Sequence, residues 1–289
     1  MSKILLTGSS GFVGSNILEK LSKKNNFYIL VRKNPKKKFK NNKNIKIIKF
    51  HSYTSLNNKL KKIKVNTVIH CATHYVKNHE YKDLKKINLN KSKKTNEIKH
   101  LLYIASTIAD AVNENFIDNH QAKNSWLKLI NSNILLGNII LENLNKMNVK
   151  KFINFSTIWE DSNAIPNNSK NLYAAYKKGF GAILNFYKKR IPSTAFIELM
   201  LTDTFGLNDT RDKIINTLKK NYLKKKVTKI VSKNLYLNIL NIEDIIDALQ
   251  LILQKNIKSN KFILKNSFNL KILDLINTFN RKKKKYKKN

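Results

Sequence analysis

Cysteine is almost absent from this chain, and long apolar runs are missing altogether. The single cysteine, Cys71, excludes a disulfide framework and suits a reducing cytoplasm. The longest apolar stretch, Leu101 to Val112, is short and contains Asp110, so it cannot span a bilayer. A strand-like run starts at Lys3, which we take to leave no room for a signal peptide. We therefore expect a soluble, cytoplasmic protein without a membrane partner.

Acidic residues and arginine are both scarce. The chain has 57 lysines and arginines against 18 acidic residues, a formal net charge of +39. Such a charge ordinarily indicates a nucleic-acid or membrane-surface partner. Only four of the basic residues are arginine, however, and arginine is preferred for bidentate phosphate and base contacts. Lysine, asparagine and isoleucine, which have A/T-rich codons, are abundant instead. We expect no specific nucleic-acid partner, only weak, salt-sensitive adsorption to polyanions.

Glycine is also rare, yet three of the seven glycines stand together near the N-terminus. The run from Thr7 to Gly14 follows an apolar strand-like run and precedes a helical pattern, an order typical of a dinucleotide-binding unit. Gly8 allows the tight turn, Gly11 lets the backbone approach a pyrophosphate, and Gly14 lets the helix pack close to the strand. The phosphates would then lie at the helix N-terminus. We assign cofactor binding here to Thr7, Gly8, Gly11, Phe12, Val13 and Gly14.

Strand-like runs alternate with helical ones, which predicts an α/β fold with a doubly wound parallel sheet. The predicted strands are Ile4–Thr7, Phe27–Arg32, Ile45–Phe50, Thr67–Ala72, Phe152–Ser156 and Ala195–Leu201. The predicted helices are 14–24, 55–63, about 126–148 and 173–188. Shorter elements follow residue 206: helices at Asp212–Lys225, Glu243–Leu253 and Leu270–Phe279, and strands near Ile230, at Tyr236–Ile242 and at Phe262–Lys265. The almost wholly basic residues 281–289 predict a disordered tail.

The glycine spacing, G-x-x-G-x-x-G after a threonine, resembles the short-chain dehydrogenase/reductase superfamily. Length and later motifs resemble its extended branch, the NAD-dependent epimerase/dehydratase family, from residue 3 to about residue 275. The resemblance implies a Rossmann domain over residues 1–205, which also takes up roughly 235–253. It further implies a small, discontinuous substrate-binding lobe over residues 206–280, shorter than in relatives.

The segment from His74 to Asn131 is long for a connection after the fourth strand, and it contains a predicted apolar helix at Ile98–Val112. In the resembled family this region supplies a helix pair that packs against a second subunit, which implies a homodimer. A surface insertion is the alternative interpretation.

The end of the second predicted strand bears on the choice of cofactor, since it meets the adenosine ribose in dinucleotide folds. A carboxylate there binds the 2′-hydroxyl and repels a 2′-phosphate. The chain instead has Arg32 and Lys33, with no acidic residue nearby. We expect NADP, with NAD as the alternative, although a solvated basic loop would look the same. By resemblance, the small residues Cys71, Ala72 and Thr73 at the end of the fourth strand leave room for the cofactor.

The superfamily's catalytic signature, Tyr-x-x-x-Lys, occurs at Tyr81/Lys85, Tyr173/Lys177 and Tyr222/Lys226. With 11 tyrosines and 53 lysines in 289 positions, chance alone gives about two matches. Only Tyr173 and Lys177 open a helix that follows the fifth strand, so we assign them as the catalytic pair. Residues four apart share one helix face, so the Lys177 ammonium can lower the pKa of the Tyr173 phenol. Tyr173 would exchange a proton with the substrate while hydride moves, and by resemblance Lys177 also holds the nicotinamide ribose.

A third catalytic residue is expected at the end of the fifth strand, where the run from Ser156 to Trp159 resembles the family's motif. We assign the role to Thr157, which would hydrogen-bond the reacting oxygen, with Ser156 as runner-up. The short gap from this run to Tyr173 resembles the CDP-abequose synthase group of reductases. The segment 201–211 also resembles that group, which implies substrate binding by Asp203 and Arg211. We predict no metal site.

These features predict an NADP-preferring reductase of a nucleotide-linked 4-keto-deoxysugar, in O-antigen (lipopolysaccharide) or other surface-polysaccharide synthesis. A 4-epimerase with retained NAD and a non-catalytic nucleotide-binding relative remain as alternatives. A 4,6-dehydratase fits less well, because Ile158 and Trp159 stand where those enzymes carry an Asp-Glu pair. Gly181 is a further departure, since relatives carry a carboxylate four residues after the catalytic lysine.

Overall fold

The computed structural model describes residues 1–33, 35, 37–75, 125–166, 168–226, 228 and 234–285. The predicted helix at Ile98–Val112, the predicted strand near Ile230 and the pair Tyr81/Lys85 lie outside these residues. Within them, no helix is both long enough and apolar enough to cross a membrane.

The secondary structure is as follows. The described strands are β1 (Lys3–Thr7), β2 (Asn26–Val31), β3 (Ile45–Lys49), β4 (Thr67–His70), β5 (Lys151–Thr157), β6 (Ala195–Leu201), β7 (Asp203–Phe205), β8 (Tyr236–Leu237), β9 (Ile239–Asn241), β10 (Asn260–Leu264) and β11 (Leu270–Lys271). The described α-helices are α1 (Phe12–Leu21), α2 (Lys37–Lys40), α3 (Tyr53–Leu60), α4 (Ser125–Ile130), α5 (Leu136–Glu142), α6 (Leu144–Met147), α7 (Leu172–Arg190), α8 (Ile214–Leu223), α9 (Ile242–Gln254) and α10 (Ile272–Lys285). A π-helical turn, Asn131–Leu135, joins α4 to α5, and a 3₁₀ helix, Ile158–Ala164, follows β5.

A seven-stranded sheet has the strand order β10-β6-β5-β4-β1-β2-β3. The pairs β1–β2, β2–β3, β1–β4 and β4–β5 are parallel. From β1 the chain builds outwards through β2 and β3, and then returns to place β4 on the other side of β1. In sheets of this kind, ligands bind at the carboxyl ends of the strands where the order reverses. The predicted doubly wound Rossmann fold is confirmed.

The strands lie within the apolar core, which explains why their sequences are nearly continuous apolar runs. Leu5, Val68 and Phe152 lie in register on β1, β4 and β5. They share one buried cluster with side chains of α3, α5, α6 and α7. All four positions of β4 are buried, as expected of a parallel sheet that helices cover on both faces.

The helix predicted at about 126–148 is interrupted twice, and asparagine side chains account for both interruptions. In the π-helical turn, buried Asn133 donates from Nδ2 to a main-chain oxygen of α4 at 3.0 Å and to the His74 oxygen at 3.2 Å. Asn143, between α5 and α6, donates to the Ile139 oxygen at 2.8 Å. Asparagine competes with the backbone in this way, and hydrophobic periodicity does not reveal it.

Two compact units divide the chain into residues 1–198 with 258–260, and residues 199–257 with 261–289. This division differs from the predicted domains, because residues 235–253 fall in the second unit, where β9 pairs with β7. The second unit also holds the antiparallel pair β8–β11. Helix α10 continues through Lys285, past Arg281 where the disordered tail is predicted to begin. Lysine is a good helix former, so a basic run can extend a helix.

Replacing Gly137 by alanine should destabilise the protein by about 1–3 kcal/mol, because the added Cβ would overlap the Phe180 ring and stand 3.1 Å from His70 Nε2. Gly179→Ala is the matched control, since its Cβ would lie 4.0 Å from Ile134 Cδ1, an ordinary contact. That change should stabilise α7 by up to about 1 kcal/mol. Urea unfolding of both variants measures the difference, and equal midpoints would contradict the described packing.

Candidate active site

The turn after β1 lies directly against the end of β4. Gly8 has a positive φ of 72°, a conformation that favours glycine. A Cβ on Gly8 would lie 2.7 Å from the Cys71 carbonyl and from the Ala72 nitrogen, so a side chain does not fit. Thr7 Oγ1 accepts a hydrogen bond from the Ala72 N–H at 3.0 Å and lies 3.0 Å from His70 Nδ1. These contacts fix the turn at the point where the strand order reverses.

The N-terminus of α1 has the properties of an anion-binding site. Its N-cap is Gly11, which has no capping side chain, and its first turn carries no acidic residue. The Gly11 N–H donates to the Gly8 oxygen at 3.0 Å, and a Cβ on Gly14 would overlap that same oxygen. The helix therefore starts close against the glycine turn. Its N–H groups and positive dipole end fit the pyrophosphate of a dinucleotide.

His70 and Cys71, at the end of β4, are uncharged at neutral pH. Burial, and then the charge of Lys177, lowers the pKa of His70 to about 3. Burial raises the pKa of the Cys71 thiol well above its usual range, against a smaller opposing effect of Lys177. The His70 ring packs against Phe180, with ring centroids 5.3 Å apart. Both residues are buried, and neither changes its protonation state near neutral pH.

Thr73 links the end of β4 to the π-helical turn. Its Oγ1 donates to Asn133 Oδ1 at 2.6 Å. Because Asn133 is also bound to the His74 oxygen, the segment after β4 is anchored at two successive residues. Turns of this π-helical kind are frequent at functional sites.

Arg32 and Lys33 follow β2 and are exposed. Burial raises the pKa of Tyr53 on α3, and the charge of Arg32 opposes that rise. Since β1 and β2 are parallel neighbours, both basic side chains lie at the same edge of the sheet as the glycine turn. A negatively charged group on a ligand at this edge would meet positive charge.

Tyr173 lies in the first turn of α7 because Asn171 caps that helix. The Asn171 side chain accepts a hydrogen bond from the Ala174 N–H at 2.9 Å, as expected of an N-cap. The half-buried Tyr173 ring stands edge-on to Tyr75, with centroids 5.4 Å apart and an interplanar angle of 88°. Tyr75 also packs against Trp159 at 6.1 Å. The phenol ring of Tyr173 therefore contacts Tyr75, and Tyr75 in turn contacts Trp159.

Lys177, one helical turn after the phenol, is only 2% exposed. Its Nζ donates to a main-chain oxygen of β5 at 2.9 Å. Burial lowers the pKa of Lys177 to about 8, and the carboxylates of Glu160 and Glu198 act against this fall. Because this pKa stays above neutrality, the ammonium is charged at pH 7. A positive charge on the same helix face favours the phenolate form of a tyrosine.

The hydroxyl groups of Ser156 and Thr157 have different surroundings at the end of β5. Ser156 donates its proton to the carboxylate of Glu160, a residue that is 1% exposed. Thr157 Oγ1 instead accepts from the Trp159 N–H at 3.3 Å, so its own proton remains for donation to another acceptor. This contrast favours Thr157 over Ser156 as the residue that donates to a reacting oxygen.

The pair Tyr222/Lys226 does not share a helix face. Tyr222 lies in the last turn of α8, which ends at Leu223, and Lys225 has a positive φ of 54°. The chain therefore leaves the helical path before Lys226, which is exposed. Of the two described matches to the signature, only Tyr173/Lys177 has helical i, i+4 geometry.

Asp203 and Arg211 lie in the second unit, where neighbouring residues already hold both side chains. Asp203 accepts from Lys213 Nζ at 3.0 Å. Arg211 donates from Nε to Asp209 Oδ1 at 2.7 Å and from Nη2 to the Thr204 oxygen at 2.9 Å. Arg211 thus orders the segment that follows β7.

The carboxylates of Glu160 and Glu198 are the residues of this site that the sequence interpretation missed. Glu198 interrupts the apolar strand β6, and a charge inside such a run was the available signal. Glu160 had no comparable signal, because it follows Trp159 between the predicted strand Phe152–Ser156 and the predicted helix at 173–188. Its burial depends on the 3₁₀ helix after β5.

The chain belongs to the NAD dependent epimerase/dehydratase family, whose model matches residues 4–106 and 111–269. This membership confirms the resemblance inferred from the glycine turn and the Tyr-x-x-x-Lys signature.

Among curated proteins, CDP-abequose synthase of Yersinia pseudotuberculosis is 29% identical over 124 residues, which is 43% of this chain and 43% of that protein. The match therefore spans less than half of the relative's length. The crystal structure of UDP-glucuronic acid 4-epimerase from Bacillus cereus in complex with NAD has a TM-score of 0.69 at 19% identity, over 96% of this chain and 82% of that one. The Bordetella bronchiseptica enzyme WbmG, in complex with NAD and UDP, has a TM-score of 0.67 at 16% identity, over 96% and 77%. These two likenesses show the fold.

Gly14→Ala should weaken binding of NADPH and NADH about tenfold or more, because its Cβ would push α1 away from the Gly8 carbonyl. Gly11→Ala is the milder comparison, with its Cβ 3.3 Å from the same oxygen. Fluorescence titration of each variant with both cofactors measures the loss, and circular dichroism verifies the fold. Unchanged affinity in Gly14→Ala would show that the cofactor does not bind at this turn.

Proposed function

We propose that this chain is an NAD(P)-dependent oxidoreductase that reduces a nucleotide-linked 4-keto-deoxysugar, in the synthesis of O-antigen or another surface polysaccharide. The arrangement at the end of β5 carries the proposal. There Tyr173 and the buried Lys177 share one face of α7, and Thr157 ends the strand. Burying an ammonium raises the free energy of the folded state. A buried lysine is therefore not expected at this position in a helix that serves only packing.

The comparisons support a nicotinamide cofactor and a nucleotide-linked substrate. The chain belongs to a family described as NAD dependent, and two proteins of the same fold were crystallised with NAD, one of them also with UDP. The curated relative, CDP-abequose synthase, favours a deoxysugar reductase within that family.

Tyr173, Thr157 and Lys177 each have a separate role in the reduction of the carbonyl group. A bound nicotinamide supplies the hydride that the carbonyl carbon receives. Tyr173 gives its phenolic proton to the carbonyl oxygen, so the product is an alcohol and the phenol regains a proton from solvent. Thr157 donates a hydrogen bond to the same oxygen and orients it. Lys177 lowers the pKa of the phenol, which makes the proton easier to transfer, and it binds the nicotinamide ribose.

Cofactor and substrate are assigned to further residues. Arg32 and Lys33 are exposed and basic at the end of β2, which supports NADP over NAD. Asp203 and Arg211 are assigned to the substrate, in a lobe formed by the second unit. Arg211 is also bound to Asp209 and Thr204, so it would in addition hold the segment that carries Asp203.

The purified protein should oxidise NADPH when a CDP- or dTDP-linked 4-keto-6-deoxysugar is added, with one equivalent consumed per sugar converted. A reductase exchanges its cofactor in each turnover, so little nucleotide should remain bound after purification. Absorbance of the reduced nicotinamide and extraction of the denatured protein measure both quantities. Stoichiometric NAD in the extract, with sugar isomerised and no net change of cofactor, would identify a 4-epimerase instead.

In this assay Tyr173→Phe should abolish turnover while it leaves cofactor binding intact, because only the phenolic proton is lost. Tyr222→Phe is the matched control from the other described signature, and it should retain activity. Comparable turnover in Tyr173→Phe and wild type would overturn the assignment of the catalytic pair.

Arg32→Glu should weaken NADPH binding strongly and spare NADH. The change removes a charge-assisted hydrogen bond of roughly 1.5–3 kcal/mol and adds repulsion of a 2′-phosphate. Titration with both cofactors measures the preference, and Lys40→Glu, at an exposed position on α2, is the control for a general change of charge. Equal losses for NADPH and NADH would show that Arg32 does not contact the 2′ position.

A further inference from the structure

Gly181 leaves a gap on the face of α7 that carries Lys177. The two residues are four apart in the same helix, so they lie on one face. Glycine inside a helix costs up to about 1 kcal/mol relative to alanine, which calls for a compensating role. A Cβ at this position would stand 3.3 Å from Glu198 Oε2, closer than an ordinary contact. The missing side chain therefore makes room for a carboxylate from β6.

Glu198 is held in this gap by a buried partner. Asn154, which is fully buried on β5, donates from Nδ2 to Glu198 Oε2 at 3.3 Å. The residues on either side of Glu198 in β6 are apolar, and Glu198 itself is partly buried. A carboxylate in such surroundings is stable only with a donor or a positive charge nearby. Asn154 supplies the donor.

The charge of this carboxylate acts on Lys177, since it raises the pKa of the buried lysine against the larger effect of burial. Among the described residues, the polar and titratable groups near Lys177 are His70 and Cys71 at the end of β4, the Phe155 oxygen on β5, Glu160 in the 3₁₀ helix, Tyr173 on α7 and Glu198 on β6. Burial keeps His70 and Cys71 neutral at pH 7, so neither can stabilise an ammonium there. Two carboxylates remain among these groups, that of Glu160, which also accepts from the Ser156 hydroxyl, and that of Glu198.

We propose that Glu198 is a positioning residue for Lys177: its carboxylate occupies the gap at Gly181 and keeps the buried ammonium charged. The carboxylate thus reaches the lysine from the neighbouring strand, not from the lysine's own helix. The effect of Glu198 in raising the pKa of Lys177 agrees with this geometry. The role rests on the proposed function only in that Lys177 serves Tyr173.

Stability against pH tests the proposal without any substrate. Lys177 has a folded pKa of about 8, below the usual value of 10.5, so the unfolded chain binds more protons between these values and stability rises with pH there. Glu198→Gln keeps the shape and an acceptor for Asn154 but removes the charge. The folded pKa of Lys177 should fall further in this variant. The unfolding midpoint of Glu198→Gln should therefore lie furthest below that of wild type near pH 6, and the difference should become smaller by pH 9.

Glu142→Gln is the matched control, because this carboxylate on α5 accepts from Tyr187 and does not act on Lys177. The unfolding midpoint of Glu142→Gln should lie below that of wild type by the same amount from pH 6 to pH 9, because Tyr187 remains protonated over this range. A pH-independent deficit in Glu198→Gln as well would overturn the proposal.

A transfer of the carboxylate gives a second, independent test. Glu198→Ala empties the space, and Gly181→Glu in that background returns a carboxylate to the same helix face as Lys177. The double variant should recover the pH dependence of wild type, whereas Gly181→Glu alone places two carboxylates in one gap and should be the least stable of the set. Additive effects of the two changes would show that positions 181 and 198 do not share this space.

Kinetics then connect the residue to catalysis. In the reduction assay, the alkaline fall of kcat/KM should move to lower pH in Glu198→Gln, and the transfer variant should restore it. A shift in stability without a shift in the rate profile would leave Glu198 as the partner of Lys177 and count against the proposed reaction. An unshifted stability profile would count against Glu198 whatever the reaction.

Discussion

The burial of the Lys177 ammonium is the constraint on which this site depends. At 2% exposure the charge cannot be solvated, so protein groups must replace water on every side. The main-chain oxygen of Phe155 accepts from it directly, and two carboxylates lie around it. Each of these groups comes from a different element, so β5, the 3₁₀ helix, β6 and α7 must keep a fixed spacing. The position of Tyr173 depends on that spacing, because Tyr173 lies on the same face of α7 as Lys177.

The rare glycines stand where this spacing is tightest. Gly137 lets α5 approach the Phe180 ring, Gly181 admits the carboxylate of Glu198, and Gly8 lets the turn after β1 touch the end of β4. A methyl group at any of the three would press on a neighbour. The surface of the chain is rich in exposed lysine, where substitutions cost little. These glycines therefore stand where segments approach each other closely, around the sheet and the candidate site.

Local patterns predicted the elements that depend on local chemistry. The strand bounds and the Thr7–Gly14 turn follow from apolar runs and from glycine's freedom, and Tyr173 could be selected by its place after β5. The breaks in the helix around 126–148 could not be predicted, because they depend on Asn133 and Asn143 bonding to the backbone. The carboxylate of Glu198 was equally hidden. Its role requires the packing of β6 beside α7, which no sequence spacing encodes.

Burial separates the proposed catalytic lysine, Lys177, from the other lysines whose side chains the structure describes. A signature of tyrosine and lysine carries little information when lysine is so common that chance supplies matches. Among the lysines whose side chains the structure describes, Lys177 is the buried one, while Lys226 of the competing pair is exposed. The desolvation that lowers the pKa of Lys177 also strengthens its effect on a neighbouring phenol, because low-dielectric surroundings screen the charge poorly. The net charge of +39 is solvated and acts weakly, whereas this one internal charge can govern a proton transfer.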